Sequence, residues 1–567
     1  MQKRWVKKAA PSEDQVKALS QTLNINPLLA SILIQRDIDT YEKAKAFFRP
    51  TLDDLHNPFL MQDMEKAIER LHKAIRAEEK ILIYGDYDVD GTTAVAVVFS
   101  YLFSFYKHCE YYVPDRYSEG YGVSQAGIEY AAANGMTLII TLDCGIKASD
   151  KVTLADSHGI DFIICDHHLP DANIPTAIAV LDPKREDCTY PYTELSGCGL
   201  GFKFIQAYAQ KHRDEEEVFQ YLDMVAVSIA SDIVPITGEN RVLTVFGLKK
   251  LNENPSPGLK ALKEISAIRN ELDVSGIVFT IGPRINAAGR IAHATGAVKL
   301  LIASTEQEAL DLAFAINEKN DQRRVVDLDI TGEALAMIEA DERIKNANST
   351  VLYKSTWSKG VIGIVASRCI EKYYRPTIIL TESNDKITGS ARSVHGFDLY
   401  EAIEACGDLL DKFGGHRHAA GLTLDHENLD AFIQRFEEVV SARVTDEMKS
   451  PVIDIDAEIQ LDTITPKFLN ILKQMAPFGP ENLNPVFEAH HLHIAHSLSA
   501  FKDRHIRFFV KQENTSNVLA VVGFDMIKHY ESLVSGKHFS MAFTVEENVF
   551  NGNTSIQLKI KDLLVND

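Results

Sequence analysis

The sequence has no CxxC pair, and its seven cysteines are an odd number scattered through 567 residues. That pattern excludes a disulfide framework and a cysteine-based structural zinc, and it fits a reducing cytoplasm. Long hydrophobic runs are also missing. The longest apolar stretch, AVAVVFSYLFSFY from Ala94, is too short and too interrupted by serine to span a bilayer, and it reads as a buried helix. The basic start MQKRWVKKAA is followed by no apolar h-region, so no secretory signal is expected. Positive charge is in deficit. A net charge of −21 argues against a chain that coats itself with nucleic acid, but a local basic groove remains open because phosphate contacts need only a patch. There is no low-complexity tract and no short repeat. The remainder is ordinary globular composition, 45% hydrophobic and 25% charged, with length enough for about three to five domains.

Residues 1–55 read as an N-terminal helical extension. From there to about residue 250, strand-like runs alternate with helical ones: ILIYGD, GTTAVAVVFSYLFSF, CEYYVPDR, SQAGIEYAAANG, MTLIITLDCG, KASDKVTLADSHG and DFIICDHH. Such alternation implies βαβ units and a mostly parallel sheet. Residues 251–345 extend this core and end in a long connector helix. Thr305 and Glu308 open that helix as a capping box, and no proline occurs between Pro283 and Pro376. A second mixed α/β lobe is expected over 346–447. From residue 448 to 567, short alternating runs such as HIRFFVKQ and NVLAVVGF suggest a small β-barrel, with an OB-fold as one candidate.

The acidic residues are placed in a pattern. Asp86 closes the run ILIY and is followed at alternate positions by Asp88 and Asp90. Asp143 closes LIITL, Asp166 closes FIIC and precedes His167 and His168, and Asp232 follows MVAVSIAS. Each comes after an apolar, strand-like run. In a parallel sheet, strand ends of one polarity gather at one edge, where open α/β folds place their sites. If extended, Asp86, Asp88 and Asp90 would be spaced ~6.6 Å apart. No Lys or Arg lies inside these motifs, so a cluster would raise its own pKa values and destabilise the fold. A bound divalent cation is the simplest compensation. Carboxylates with one or two histidines suit Mn²⁺ or Mg²⁺ better than zinc, and the set is large enough for two ions. A solvated turn for DxD and a structural role for HH are the bland alternatives, and four segments in concert outweigh them.

These residues resemble the DHH phosphoesterase superfamily. DYDVDG, the Asp143 strand end, DHH at 166–168 and SIASDIVP around Asp232 match its four motifs in order. GPRINAAGR at 282–290 and PDRYSEGYGV at 114–123 are similar to RecJ-type exonucleases, and FGGHRHAAG at 413–421 to the DHH-associated domain. The resemblance implies two α/β lobes around a cleft with an OB-fold appended. It also implies a 5′→3′ exonuclease in DNA repair and recombination, acting on single-stranded DNA by two-metal-ion hydrolysis with Mn²⁺ or Mg²⁺ and releasing 5′-mononucleotides. Carried over by residue, Asp86 and Asp88 would hold one ion, Asp90, His167 and Asp232 the other, and Asp143 would bridge them. His168 would contact the scissile phosphate, and Asp166 would orient a histidine.

Substrate groups follow from the same resemblance. Ser390 and Arg392 would bind a terminal 5′ phosphate, and Arg116, Arg284, Asn286 and Arg290 are further candidates, although Arg284 could equally be a structural ion-pair partner. Gly414, Gly415 and His416 would form a phosphate-binding turn facing the nucleotide, although by residue type alone this stretch could equally be a tight helix start. In the barrel, Phe501, Lys502, Arg504 and Arg507 combine aromatics with cations, as single-strand grooves do, while an ordinary amphipathic strand with Phe inward remains open. Trp357-Ser358-Lys359 departs from the histidine that many relatives carry after the tryptophan. The family implies a cytoplasmic enzyme, expected as a monomer without membrane contact, with a single-strand-binding protein and a helicase as partners. The rival readings are a DHH phosphodiesterase acting on oligoribonucleotides, cyclic dinucleotides or pyrophosphate, and a non-catalytic replication scaffold with degenerate metal ligands.

Overall fold

The structure, a computed structural model, describes residues 3–268, 270–550 and 552–565. It divides into two units: Thr51–Lys449, and Met1–Pro50 together with Ser450–Asp567.

The first unit begins with a five-stranded, wholly parallel sheet. Its spatial order is Cys109–Tyr112, Ile81–Gly85, Leu138–Leu142, Asp161–Cys165 and Ala179–Leu181. The central strands are apolar throughout because helices cover both faces. Alternate residues feed opposite sides. Ile81 and Ile83 pack into one core with Leu138 and Ile140, while Leu82 and Tyr84 pack into another with Ile139 and Ile164. The chain order 2-1-3-4-5 reverses between Ile81–Gly85 and Leu138–Leu142. A crevice therefore opens at their carboxyl ends, where Asp86 and Asp143 emerge.

One expectation is corrected. The run before Asp232 is a helix, Leu222–Ser231, not a strand. Nearly every residue of it is buried, so its sequence has no polar face to reveal a 3.6-residue period.

The helix Glu306–Ala340 is 35 residues and therefore about 52 Å long. Thr305 caps it by accepting from the Glu308 amide, which forms half of the anticipated box. It leads to a second sheet, ordered Lys412–His416, Ala419–Leu424, Lys386–Arg392, Thr377–Ser383 and Thr350–Tyr353, in which only the last pair is parallel.

In the other unit, Phe487–Phe501, His505–Gln512, Val518–Gly523, Asn553–Val565 and Phe539–Phe550 pair in that order, and the last closes on the first to make a five-stranded barrel. Phe487, Phe508, Phe539 and Phe543 fill it. The N-terminal segment is not wholly helical. Arg4–Lys7 is a strand parallel to Val452–Ile455, and the helices that follow it add Leu29, Ile32 and Leu33 to the barrel's core cluster. No helix among the described residues is long and apolar enough to cross a membrane.

Candidate metal centre

Asp86 and Asp143 leave adjacent strand ends, and Asp88 and Asp90 belong to a helix start. Asp88 is the N-cap of helix Val89–Phe105 and accepts from the Gly91 amide at 3.0 Å. Asp90 sits in its first turn. The three aspartates are thus folded around a strand-to-helix corner and not extended. Asp143 adopts a left-handed backbone, φ 60°, a strained conformation for a non-glycine residue that the fold sustains at a crowded point.

These elements bring the acidic segments together. Asp86, Asp88 and Asp143 offer ligand atoms within 4.8 Å of one another, as do Asp90, His167 and Asp232, and as do Asp143, His167 and His168. The His167 Nε2 lies 3.2 Å from Asp143, 3.6 Å from Asp232 and 3.7 Å from Asp90. Burial drives the electrostatics. It combines with the neighbouring Asp88 to push Asp86 up to about 8 and Asp90 up to about 6. Burial and the surrounding aspartates raise Asp143 and Asp232 well above the ordinary carboxylate range. His167 moves the other way, down to about 3, through burial and the adjacent His168, so its ring is neutral and keeps a free lone pair.

The donor set fits divalent cations. Asp86 Oδ2 and His167 Nε2 are buried polar atoms with no hydrogen-bond partner. Leaving such atoms unpaired is costly, and a cation between the carboxylates relieves that cost and their repulsion together. Five carboxylates and an imidazole without thiolate suit Mn²⁺ or Mg²⁺.

Asp166 is different. Its Oδ2 accepts from the Ile146 amide at 2.9 Å, and its Oδ1 from the His167 amide at 2.8 Å and from His168 Nδ1 at 2.7 Å. Burial alone would raise it, but the His168 contact outweighs that and holds it down to about 2. Both oxygens are occupied, so Asp166 fixes the His168 ring. On the far side of that ring, Nε2 meets the Tyr121 hydroxyl at 3.1 Å.

The other sequence candidates are distributed unevenly. Arg116 stacks 3.9 Å over the Tyr87 ring and donates to the Gly289 carbonyl at 3.0 Å. Arg290 donates to the Gly360 carbonyl at 2.8 Å, and burial with Arg116 nearby pushes it down to about 10. Arg392 donates to Ser390 Oγ at 3.1 Å, and both flank Gly363 at the start of helix Ile362–Lys372, which has no side-chain cap. Asn286 keeps a buried Oδ1 without a partner. Arg284 is tied up, with Nε on Asn317 at 3.0 Å and Nη1 on the Thr280 carbonyl at 2.7 Å. Gly414, Gly415 and His416 form neither a phosphate-cradling loop nor a helix start but one arm of a β-hairpin. At Gly415, φ is 144° and a Cβ would collide with the Ala419 carbonyl oxygen. Burial, followed by the charges of His418, Arg392 and His168, lowers the His416 pKa. In the barrel unit, Phe508 points inward while Phe509 stacks outward on His496, and Phe501 packs on His505. Lys502 occupies a left-handed position in the turn between strands Phe487–Phe501 and His505–Gln512, Arg504 is paired with Asp525, and Arg507 donates to Ser499 Oγ at 3.1 Å.

Sequence reasoning missed the residues that hold Asp90. Its Oδ2 accepts from the Gly197 amide at 2.6 Å, and its Oδ1 from the Cys198 amide at 2.8 Å and from Ser228 Oγ at 2.6 Å. The helix Gly197–His212 therefore aims its N-terminus at this carboxylate. The glycine-rich string SGCGLG before an apolar run was the available signal. Asp182 was missed as well. It closes the fifth strand as the other aspartates close theirs, keeps a buried unpartnered Oδ2, and burial pushes it up to about 7.

Residues 80–229 match the DHH family N-terminal domain, 346–442 the DHHA1 domain and 455–562 the RecJ OB domain. The single-stranded-DNA-specific exonuclease RecJ of Bacillus subtilis (strain 168) is 36% identical over 562 residues, 98% of this chain and 70% of that protein. Its counterpart in Escherichia coli (strain K12) is 31% identical over 89% of this chain and 90% of that one. The chain belongs to the RecJ family. A solved RecJ from Thermus thermophilus, in complex with Mn²⁺, superposes with a TM-score of 0.84 at 24% identity over all of this chain and 80% of that one. This RecJ-family member therefore shares the fold of that structure through both units.

Proposed function

We propose that this chain is a metal-dependent exodeoxyribonuclease that degrades single-stranded DNA from the 5′ end to 5′-mononucleotides, in DNA repair and recombination. The observation that carries the reading is the gathering of Asp86, Asp88, Asp90, Asp143, His167 and Asp232 into overlapping ligand sets, with Arg392 donating to Ser390 elsewhere in the same unit. RecJ relatives are named for single-stranded DNA, and RecJ structures hold Mn²⁺ or Mg²⁺.

Asp86, Asp88 and Asp143 would hold one ion, and Asp90, His167 and Asp232 the second, with Asp143 common to both. When bound, Mn²⁺ or Mg²⁺ supplies Lewis acidity toward water and a phosphodiester. The protein's own groups set the geometry. The Gly197 and Cys198 amides and Ser228 fix Asp90. Asp166 holds Nδ1 of His168, so Nε2 is directed to a phosphate oxygen in exchange for the Tyr121 hydroxyl. Arg392 and Ser390, beside the uncapped start of helix Ile362–Lys372, receive the terminal 5′ phosphate and so count off one nucleotide. In the barrel, Phe501, Lys502 and Arg507 contact the strand. Arg504 contributes less because Asp525 neutralises it. The protein acts in the cytoplasm as a monomer and receives substrate from a helicase and a single-strand-binding protein.

The test is degradation of single-stranded and duplex DNA and RNA, each labelled at either end, with Mn²⁺. Labelled mononucleotide released first from a 5′-labelled single DNA strand is the expected result. An intact 5′-phosphorylated single strand, or release first from the 3′ end, overturns the reading.

A further inference from the structure

Ile233, the residue after Asp232, has a left-handed backbone at φ 61°. Asp232 caps the C-terminus of helix Leu222–Ser231 and donates its amide to the Ser228 carbonyl at 2.9 Å, so Ile233 takes the position that turns the chain away from the helix. Glycine or asparagine ordinarily fills that position, because a Cβ there crowds the following carbonyl. A β-branched residue in this conformation is a true outlier. Burial gives nothing back. Val234 and Ile236 pack into the core beneath the first sheet, but Ile233 is 65% exposed. The side chain is thus strained and in water at once, a pairing that folding does not account for and that marks functional positions.

Its place indicates the role. In the ligand set of Asp90, His167 and Asp232, the Asp90 and His167 side chains are 1% and 7% exposed, whereas that of Asp232, 3.6 Å from His167 Nε2, is 25% exposed. The set therefore opens to solvent beside Asp232, and a substrate that reaches it passes the residue bonded to Asp232. Ligand sites join a few polar groups to apolar surface that receives the uncharged part of the ligand. Of the parts of a single strand, the base offers the broad apolar face, and every base has one.

We propose that Ile233 packs against the face of a base flanking the scissile phosphodiester and so selects strands that carry a base there. The left-handed turn serves both neighbours: it ends the helix at Asp232, which stays beside His167, and it leaves the next side chain outside the core, at the mouth of the ligand set. An aliphatic contact of this kind discriminates base from no base but not one base from another, as a nuclease without sequence preference requires. The inference rests on the single-strand reading above.

The experiment measures release of the first nucleotide, with Mn²⁺, from oligothymidine carrying a labelled 5′ phosphate. The strand is intact or has one abasic residue at its first, second or fifth position. The proteins are the full chain and its Ile233→Gly, Ile233→Asn and Ile233→Val variants. On the intact strand, and on the one abasic at the fifth position, the Gly and Asn variants should lose about 5- to 10-fold in kcat/KM, chiefly through KM. On a strand abasic at the first or the second position, that difference from the parent should vanish, and Ile233→Val should keep most of the activity throughout. An equal loss on all four strands, or no loss on any, overturns the proposal. The Mn²⁺ concentration giving half the maximal rate should be the same in every protein; a several-fold shift would assign the effect to Asp232 and overturn the proposal as well. Thermal unfolding midpoints of the Gly and Asn variants should equal or exceed the parent's, because both residues accept this backbone readily, and lower midpoints would contradict the strain argument. If the unaltered protein leaves the intact strand uncut, it is the single-strand reading that fails.

Discussion

Gly197→Ala tests whether the close approach of one helix end to the carboxylates is required. A Cβ there would lie 2.6 Å from Asp143 Cβ, 2.8 Å from its Oδ1 and 2.9 Å from its Cα. Ordinary van der Waals contact begins near 3.4 Å, so the two segments must separate by about 0.5–0.8 Å. Neither segment yields without consequence. Asp143 is held at a left-handed corner with its amide on the Cys165 carbonyl, and Gly197 holds Asp90 through its own amide. Movement of either pulls Asp143 or Asp90 from the set that surrounds His167. A displacement approaching 1 Å costs about 10²-fold in rate. The stability cost is smaller, because overpacking of about 1–3 kcal/mol is offset in part by alanine's helix preference of about 1 kcal/mol. Gly199→Ala is the internal control. The nearest atom to its Cβ would be Ser196 Oγ at 3.3 Å. The assay is kcat/KM on a 5′-phosphorylated single strand with Mn²⁺, alongside urea unfolding. Gly197→Ala should lose about 10²-fold while Gly199→Ala stays close to the parent. Equal activity in the two variants would refute the argument.

Asp86 has a folded-state pKa of about 8, above its ordinary value, so the stability it supports is full below about pH 4 and is lost as pH rises through 8. In EDTA, Asp86→Asn should therefore unfold like the parent near pH 4 and be more stable by on the order of 4 kcal/mol at pH 7.5; a stability gain independent of pH contradicts the burial argument. Asp143→Ala should abolish hydrolysis while the protein still binds single-stranded DNA in an anisotropy titration, and residual turnover above a few per cent would show that Asp143 is dispensable. Arg392→Gln should erase any preference for a 5′-phosphorylated over a 5′-hydroxyl strand, read as the ratio of the two kcat/KM values. Lys203 and Glu239 form a fully buried pair at 3.0 Å, with Lys203 also donating to the His56 carbonyl. Removing one partner in Lys203→Met should cost about 3–5 kcal/mol in urea unfolding.

The strand ends and the carboxylates that close them were legible because they follow from local patterns. ILIY, LIITL and FIIC are buried strands whose apolar runs need no partner to be recognised, and the next residue must then leave at the sheet's edge. What surrounds Asp90 was not legible, because its partners Gly197 and Ser228 lie 107 and 138 residues away. The all-apolar run before Asp232 hid its helical period, and GGHRHAAG gave no sign that it pairs as a hairpin.

By itself, the sequence determined that carboxylates and an imidazole would gather at one sheet edge, and that nothing in their own motifs would neutralise them. Those properties are written in neighbouring residues. Only the tertiary structure decided which carboxylates and imidazoles lie within reach of one another, that Arg284 is engaged by Asn317 and Thr280, and that Arg4–Lys7 pairs with Val452–Ile455. Each of these depends on segments far apart in the chain meeting in space, and chain closure leaves no periodic trace in either segment.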